Sequence, residues 1–245
     1  MYASGLREAL LGARDTIPLL VGVTPFGIIY GTLAVNAGLS LEATVLMSLL
    51  VFAGASQLIA VGLLAAGSGI WVILLTTLVV NLRHMLYSAS LLPYVRHLPR
   101  RWRLPLGFWL TDESFAVVYR RYLDDQLPLA SKHWYFLGSC MAMYSTWVIT
   151  SLLGALLGHA VPQMANWGLD FAMVVTFLGI VVPALRNWPM ILAALSSALI
   201  AVLAYDLPWQ LGLILAALGG IGVGLLAEQR LQRRNTAVEV HDDQP

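Results

Sequence analysis

The chain has few charged residues and a single cysteine. Only 11% of its 245 residues are Asp, Glu, Lys or Arg, and 59% are hydrophobic, whereas an ordinary soluble domain has about 25% charged residues. A soluble fold of this length could not hide so many apolar side chains in one core. The balance of 14 basic and 13 acidic residues leaves no basic excess for nucleic-acid binding. The lone Cys140 excludes an intramolecular disulfide and a CxxC motif.

Long apolar segments predict an all-α, polytopic membrane helix bundle. A helix of about 20 apolar residues crosses a hydrocarbon core, and turn-forming residues separate the segments. Eight segments can be distinguished: 16–37, 41–66, 69–92, 105–119, 134–158, 168–187, 189–205 and 209–227. We expect residues 1–227 to form a single transmembrane transporter domain. Residues 228–245 form a short polar tail, which we expect to be cytoplasmic and disordered after Gln229.

The arginine distribution predicts that two of these segments do not cross. Short basic loops stay in the cytoplasm, and the loops 93–105 and 120–132 are both basic. Both loops and both termini are cytoplasmic if 41–66 and 105–119 each enter and leave on one side. Small residues interrupt the first of these segments and polar residues interrupt the second. The prediction is six full crossings with two interrupted or re-entrant segments; seven crossings is the alternative.

Two further patterns concern helix packing. Pro25 and Pro183 each lie within an apolar segment, which is the only sign of an inverted repeat between the two halves of the chain. Small residues recur at every fourth position from Gly212 to Gly224. This spacing is typical of closely packed membrane helices, within one chain or against a partner subunit.

Segment 69–92 contains an unusual number of polar side chains. On an ideal helix they fall on two opposite faces. One face has Thr77, Asn81, His84 and Ser88, and the other has Thr76, Arg83, Tyr87 and Ser90. Since neither face suits lipid, we expect protein or water on both sides of this helix.

Arg83 lies about 13 Å from the cytoplasmic end of this segment, at 1.5 Å per residue. A charge at that depth costs at least about 2.5–3.5 kcal/mol unless it is paired or hydrated. The only deep acidic residues are Asp112 and Glu113, so one of them is the expected partner. The pair either locks helices together or takes part in transport, with an acid and His84 exchanging protons.

The sequence also has a break at 53–57, where Gly54, Ser56 and Gln57 interrupt an apolar segment. An unwound turn can present backbone groups to a substrate, although small residues also serve simple helix packing. The chain lacks a Walker A sequence and an HExxH motif, and its Gly54-Ala-Ser56 is an incomplete nucleophile elbow. We therefore expect no enzyme activity, metal site or cofactor.

Three motifs, in this order, resemble those of the AzlC family, the large subunit of bacterial branched-chain amino acid exporters. They are Phe52-Ala-Gly-Ala-Ser-Gln57, Asn81-Leu-Arg-His-Met-Leu-Tyr-Ser88 and Leu110-Thr-Asp-Glu-Ser-Phe-Ala116. The resemblance extends over nearly the whole chain. It implies a proton-driven exporter of valine, leucine, isoleucine and methionine in the bacterial inner membrane, working with a small AzlD-like subunit.

For such an exporter the polar residues divide into two groups. We expect substrate binding by Ser56, Gln57, Asn81, Arg83 and Tyr87, and proton coupling by His84, Asp112 and Glu113. A channel or exporter for another small solute, or a membrane assembly partner without transport activity, are the alternatives.

Overall fold

The computed structural model describes residues 2–123, 129–160, 178, 181–182, 185–207 and 211–242. These residues form helices and connecting turns, with no strand among them, which confirms the all-α fold class. They belong to two compact units, Met1–Ile180 and Val181–Pro245. Most of the predicted crossing 168–187, including Pro183, lies outside the described residues.

The helices of the first unit are α1 (Tyr2–Asn36), α2 (Leu41–Leu50), α3 (Gly54–Ala65), α4 (Ile70–Asn81), α5 (Arg83–Val95), α6 (Arg100–Phe108), α7 (Asp112–Leu123) and α8 (Leu129–Ala160). The second unit contains α9 (Trp188–Leu203) and α10 (Leu211–Asp242). Within the described part of the chain, three helical stretches are long and apolar enough to cross a membrane. They are Gly5–Asn36, Ile70–Val95 and Ser131–Gly158.

Helices α1 and α8 pack side by side and run in the same direction. Near their first turns a Cβ on Gly138 would overlap the carbonyl of Ala9, and near their last turns a Cβ on Gly154 would overlap the carbonyl of Ile28. Glycine is required where two backbones approach this closely. Between these contacts, Thr16 and Ser139 share a hydrogen bond of 2.7 Å.

Helices α2 and α3 form a hairpin that reaches only halfway along α8. The hairpin starts beside the end of α1, where the Tyr30 hydroxyl donates to the Thr44 carbonyl at 3.0 Å. At the far end of α2, the hydroxyl of Tyr144, in the middle of α8, donates to the Leu49 carbonyl at 3.0 Å. The chain then turns back, because Gln57 of α3 bonds to Ser48 of α2.

Helices α6 and α7 form a second hairpin that enters from the opposite side. Helix α7 runs parallel to α5, since Tyr87 stacks on Phe115 and Tyr94 packs on Tyr122 further along. It runs antiparallel to α8, because the Tyr122 hydroxyl donates to the carbonyl of Lys132 at 2.7 Å, near the start of α8. The chain therefore reaches the middle of the unit through α6 and returns through α7.

The helices that lead to the two hairpin tips, α2 and α6, have the lengths expected of re-entrant elements. Helices α2 and α6 have ten and nine residues, or about 15 Å and 14 Å at 1.5 Å per residue, which is about half of a 30 Å hydrocarbon core. Both interrupted segments are thus re-entrant, although the second begins at Arg100 rather than at residue 105. Each full crossing reverses the direction of the chain. If one of these two segments crossed and the other did not, two crossings would separate α1 from α8, and α1 and α8 would run in opposite directions. The parallel packing excludes the seven-crossing alternative for this part of the chain.

The first unit contains an inverted repeat. The crossing helices α1 and α4–α5 run in opposite directions, and each is followed by a four-residue connection, 37–40 or 96–99, and a hairpin. The turns at the hairpin tips, 51–53 and 109–111, have equal length, and α3 and α7 both have 12 residues. This repeat lies within residues 2–123. The repeat between the two halves that Pro25 and Pro183 suggested stays a prediction, because Pro183 lies outside the described residues.

The crossing 70–95 is interrupted at Leu82, whose N–H bonds to the carbonyl of Val79 three residues earlier. This tighter turn rotates α5 relative to an ideal continuation of α4, so the two polar faces predicted from the sequence do not persist along the crossing. One side packs on α3, α7 and α8 of the same unit, but Leu78 and Met85 are 60% and 67% exposed. The sequence predicted protein or water on both sides of this crossing, but within this unit protein contacts only one side.

In the second unit, α9 and α10 pack as an antiparallel pair. A Cβ on Gly212 would overlap the carbonyl of Ala204, and one on Gly220 would overlap the Ser197 hydroxyl. Ser197 also donates to the carbonyl of Ala216 at 2.9 Å. The stripe of small residues predicted for this helix therefore packs within the chain.

Helix α10 continues to Asp242, so the expectation of a disordered tail after Gln229 is wrong for residues 230–242. The segment begins with Arg-Leu-Gln-Arg-Arg at 230–234, and these residue types are good helix formers. An existing helix also extends at little cost, because only its first turn is difficult to form.

Candidate functional site

The tips of the two hairpins meet in the middle of the first unit, on either side of Tyr144. The Phe52 ring at the first tip contacts the Tyr144 ring edge-on at 4.9 Å between centroids, and Trp109 at the second tip lies 6.0 Å from it. A narrow pocket lies between the tips and the crossing helices. Its titratable lining residues belong to α5 and α7 and are called the charged wall here: Arg83, His84, Asp112 and Glu113. Its large apolar lining residues belong to α1, the first tip and α8 and are called the apolar wall: Phe26, Phe52, Met143 and Trp147. Residues 53–55 and Thr111 complete the lining.

An ion pair forms the centre of the charged wall. The Nη1 atom of Arg83 lies 3.1 Å from Oδ2 of Asp112, and the Tyr87 hydroxyl donates to the other carboxylate oxygen, Oδ1. Asp112, the first residue of α7, is therefore the acid that pairs with the buried arginine. The side chains of Arg83 and Asp112 are 24% and 12% exposed, so the pair faces the pocket. The Nε atom of Arg83 is buried and has no hydrogen-bond partner among the described residues.

Two further titratable groups line the same pocket. Glu113 is buried beside Asp112 at the start of α7. His84 follows Arg83, and its Nδ1 lies 3.2 Å from the Asn81 carbonyl. Since a carbonyl can only accept, Nδ1 carries the proton of this hydrogen bond, and Nε2 is the nitrogen that can gain one. All three residues predicted for proton coupling thus lie in one pocket.

Gln57 holds the tip of the first hairpin. Its Oε1 accepts from the Ala53 N–H at 3.2 Å and from the Trp147 indole N–H at 3.0 Å, while its Nε2 donates to the Ser48 hydroxyl at 3.2 Å. The side chain is fully buried. These bonds join both arms of the hairpin to α8, and they direct the amide of Gln57 toward the protein instead of the pocket.

The first tip has an unusual backbone. Phe52 adopts φ +42°, a left-handed conformation that is strained for a bulky residue and often occurs at functional sites. Gly54 follows in close contact with the apolar wall, because a Cβ at this position would lie 2.7 Å from Cη2 of Trp147 and 3.1 Å from Cε1 of Phe26. The Gly-Ala-Ser break predicted from the sequence therefore allows the tip to approach two aromatic rings.

The second tip is capped by two side chains. The Thr111 N–H donates to the Ser114 hydroxyl at 2.8 Å, and the Ser114 N–H donates to the Thr111 hydroxyl at 3.4 Å. This reciprocal arrangement satisfies amides at the start of α7 as a capping box does. It places Asp112 and Glu113 in the first turn of the helix, where acidic groups are favoured.

Of the five residues predicted to bind substrate, Arg83 lines the pocket and the other four lie behind it. The Ser56 hydroxyl donates to Oδ1 of Asn81 at 2.6 Å and thereby joins α3 to α4. Tyr87 holds Asp112, as described above. The apolar wall of Phe26, Met143 and Trp147 was not predicted, because an apolar residue that lines a pocket looks the same in sequence as one that faces lipid.

No group of three or more His, Cys, Asp or Glu residues suited to a metal ion occurs in the part of the chain that the structure describes. The pocket is lined by one guanidinium, two carboxyl groups and one imidazole, together with aromatic and thioether side chains. Such a site can hold a small solute that has both charged and apolar parts.

Comparison with known proteins places both hairpins and α8 in one family. Residues 18–161 match the family model described as AzlC protein. The inner membrane protein YgaZ of Escherichia coli is 29% identical over 230 residues, which cover 91% of each chain. The branched-chain amino acid transport protein AzlC of Bacillus subtilis is 30% identical over 163 residues, covering 66% of this chain and 62% of that protein. An uncharacterized membrane protein of Helicobacter pylori is 32% identical over 178 residues, covering 71% of this chain and 75% of that protein. No solved structure matches the chain.

Proposed function

The chain belongs to the AzlC family of membrane proteins, and from this membership we propose that it is a secondary transporter for branched-chain amino acids. It exports valine, leucine, isoleucine and methionine across the bacterial inner membrane, coupled to protons, together with a small AzlD-like membrane subunit. The name of the Bacillus subtilis relative, a branched-chain amino acid transport protein, supports the substrate class.

The observation that carries this proposal is the presence of charged and large apolar side chains in the lining of one pocket. A zwitterionic amino acid needs a cation for its carboxylate and an anion for its ammonium group. Arg83 supplies the first and Asp112 or Glu113 the second, while Phe26, Met143 and Trp147 surround the aliphatic side chain. The unpartnered Nε of Arg83 adds a donor for the carboxylate.

The pocket is too small for an amino acid in this state. It has room for about one water molecule, because Arg83 and Asp112 occupy it by binding each other. Substrate entry therefore requires the two side chains to exchange their mutual contact for contacts with the amino acid. Without substrate, Arg83 and Asp112 each bind the charge that the amino acid binds when it is present. The separation of the ion pair is therefore part of the transport cycle.

The position of the pocket suits alternating access. Each hairpin extends from one side of the unit and ends at the pocket, so that α2–α3 blocks one route and α6–α7 blocks the other. Transporters with inverted repeats commonly bind substrate at such a midpoint, beside interrupted helices. A displacement of the two hairpins relative to each other would expose the pocket to one side at a time.

Proton coupling follows from the second carboxyl group. When a substrate ammonium group binds Asp112, Glu113 lies beside a newly occupied site in a buried environment. Protonation of Glu113 or His84 adjusts the charge of the pocket as substrate enters or leaves. A buried charge without a partner is costly, so the number of bound protons depends on whether the amino acid is present.

The test is efflux of labelled valine from proteoliposomes, with and without the small subunit and with an imposed proton gradient. We expect the gradient to drive valine against its concentration difference and Arg83→Ala to abolish this movement. The matched control is Arg100→Ala, at the exposed start of α6, which retains transport. Valine movement only down its own gradient would identify a channel, and movement of another solute alone would identify a different exporter; either result contradicts the proposal.

A further inference from the structure

The two hairpin tips are attached to the rest of the unit by different kinds of contact. We propose that Gln57 is a positioning residue that fixes the first hairpin to α8, and that the second hairpin is the one that moves. The movement of the second hairpin rests on the proposed transport function. The attachment of the first hairpin does not, because it is inferred from hydrogen bonds alone.

The attachment of the first tip is buried and uncharged. Gln57 is inaccessible to solvent, and its three hydrogen bonds reach Ala53 at the tip, Ser48 on the other arm and Trp147 on α8. Gln57 itself is fully buried and does not line the pocket, so a substrate in the pocket cannot take its place in these bonds. The geometry therefore holds Ala53 and Gly54 against α8 throughout the cycle.

The attachment of the second tip can be exchanged. Asp112 holds this tip to α5 through Arg83 and Tyr87, and the ion pair is partly exposed to the pocket. The carboxylate and ammonium groups of an amino acid are chemically equivalent replacements for Asp112 and Arg83. A substrate that takes these contacts therefore releases the second tip from α5.

Because the two hairpins are equivalent in the inverted repeat, their difference in attachment can be assigned to one residue in each hairpin. Ala53 and Thr111 are equivalent positions, immediately before α3 and α7, and each backbone N–H donates to a side chain of the following helix. At the first tip the acceptor is Gln57, which also bonds to α8. At the second tip it is Ser114, whose hydroxyl bonds to Thr111 of the same tip and contacts α8 through the thiol of Cys140, a weaker hydrogen-bonding group than an indole N–H. The bonds between Ser114 and Thr111 therefore move with the second hairpin, whereas the bond of Gln57 to Trp147 prevents movement of the first.

The test measures the accessibility of each tip to a membrane-permeable maleimide. The only native cysteine is replaced (Cys140→Ala, which adds no hydrogen-bonding group beside Ser114), and single cysteines are introduced at Ala53 or Leu110, which are both buried in the tips. With valine and a proton gradient, we expect the labelling rate of the Leu110→Cys protein to change several-fold and that of the Ala53→Cys protein to stay constant. Valine-dependent labelling at Ala53 with constant labelling at Leu110 would overturn the assignment of the moving hairpin.

Gln57 is then tested without substrate. Gln57→Leu has a similar volume but no hydrogen bonds, so we expect several-fold faster labelling of the Ala53→Cys protein. Gln57→Glu retains the acceptor for Ala53 and Trp147 and should restore slow labelling. Ser48→Ala, which removes one bond, should have an intermediate effect and serves if Gln57→Leu does not fold. Unchanged labelling in both the Gln57→Leu and Ser48→Ala proteins would disprove the positioning role.

Transport kinetics separate positioning from substrate contact. A positioning role predicts that Gln57→Leu lowers the maximal rate of valine efflux more than it raises KM, with recovery in Gln57→Glu. A raised KM with unchanged Ala53 labelling would show that Gln57 binds substrate, and would overturn the inference. If the protein carried no amino acid, the substrate-independent labelling result would still decide whether Gln57 fixes the tip, so the two failures are distinguishable.

Discussion

Arg83 and Asp112 lie 29 residues apart in the sequence, yet Nη1 of the first is 3.1 Å from Oδ2 of the second. The arginine lies at the interruption of a crossing helix, and the aspartate is the first residue after the turn of a re-entrant hairpin. The contact therefore joins two irregular points of the backbone. It brings a permanent positive charge and a carboxylate to the middle of the unit, where either charge would be energetically unfavourable without the other.

A double-mutant cycle distinguishes a structural pair from a binding pair. Removal of one partner leaves a buried charge, so Arg83→Met or Asp112→Leu should each destabilise the protein by roughly 3–5 kcal/mol. The double variant should recover most of that stability but no valine efflux. Thermal unfolding in detergent measures the first quantity and proteoliposome efflux the second. A double variant that transports valine at the wild-type rate would reduce the pair to a structural role.

Tyr87 tests how Asp112 is oriented. Tyr87→Phe keeps the stacking on Phe115, at 4.6 Å between centroids, but removes the hydrogen bond to the carboxylate, a type of bond that contributes about 1.5–3 kcal/mol. We expect a higher KM for valine, since Asp112 is no longer held in place. Tyr119→Phe is the matched control, because Tyr119 also stacks on Phe115 and should leave KM unchanged. Equal KM values in the two variants would argue against orientation by Tyr87.

Met143 tests the apolar wall. The residue is 3% exposed and lines the same pocket as the charged groups. Met143→Ala enlarges the pocket and should favour larger side chains, raising the efflux of phenylalanine relative to valine; Met143→Phe should do the opposite. Differences of one methylene group in an apolar pocket contribute about 1–3 kcal/mol to discrimination. Competition between labelled valine and unlabelled amino acids measures the ratio, and an unchanged ratio in both variants would exclude Met143 from the substrate wall.

Gly54 tests the close approach of the first tip. In Gly54→Ala the new methyl group would lie 2.7 Å from Cη2 of Trp147, so the tip or the ring must shift, at a cost of about 1–3 kcal/mol. We expect reduced stability and slower efflux. Gly62→Ala lies on the same helix with nothing within 4 Å of the added Cβ, and should be neutral or stabilising by up to about 1 kcal/mol. Equal effects of the two substitutions would show that helix propensity, and not the tip contact, governs Gly54.

Much of the fold could be predicted because it depends on strong, local signals. The positions of arginine in two loops predicted both hairpins, and the depth of Arg83 predicted an acidic partner at 112–113. The same approach could not predict the interruption at Leu82, which is an ordinary apolar residue in sequence. It misassigned the side chains of that crossing to two faces, because an ideal helix was assumed through the break.

The inverted repeat could not be recognised in the sequence for a different reason. Its halves agree in helix and turn lengths, but the two tips share little sequence beyond Ser56 and Ser114, each the third residue of its helix. The two halves face different surroundings, so their side chains differ although their backbones correspond. In the same way, the polarity of Gln57 suggested a binding residue, while its burial and three hydrogen bonds depend on residues far away in the sequence.

The inversion also determines the electrostatic potential at the pocket. Because the two hairpins enter from opposite sides, both returning helices start at their tips, with Gly54 in one and Asp112 in the other. Their amide ends therefore converge on one place, and each helix start contributes a partial positive charge of about half an elementary charge. The backbone of the protein alone favours an anionic group at this depth, and the Asp112 carboxylate now fills that role at one of the two helix starts.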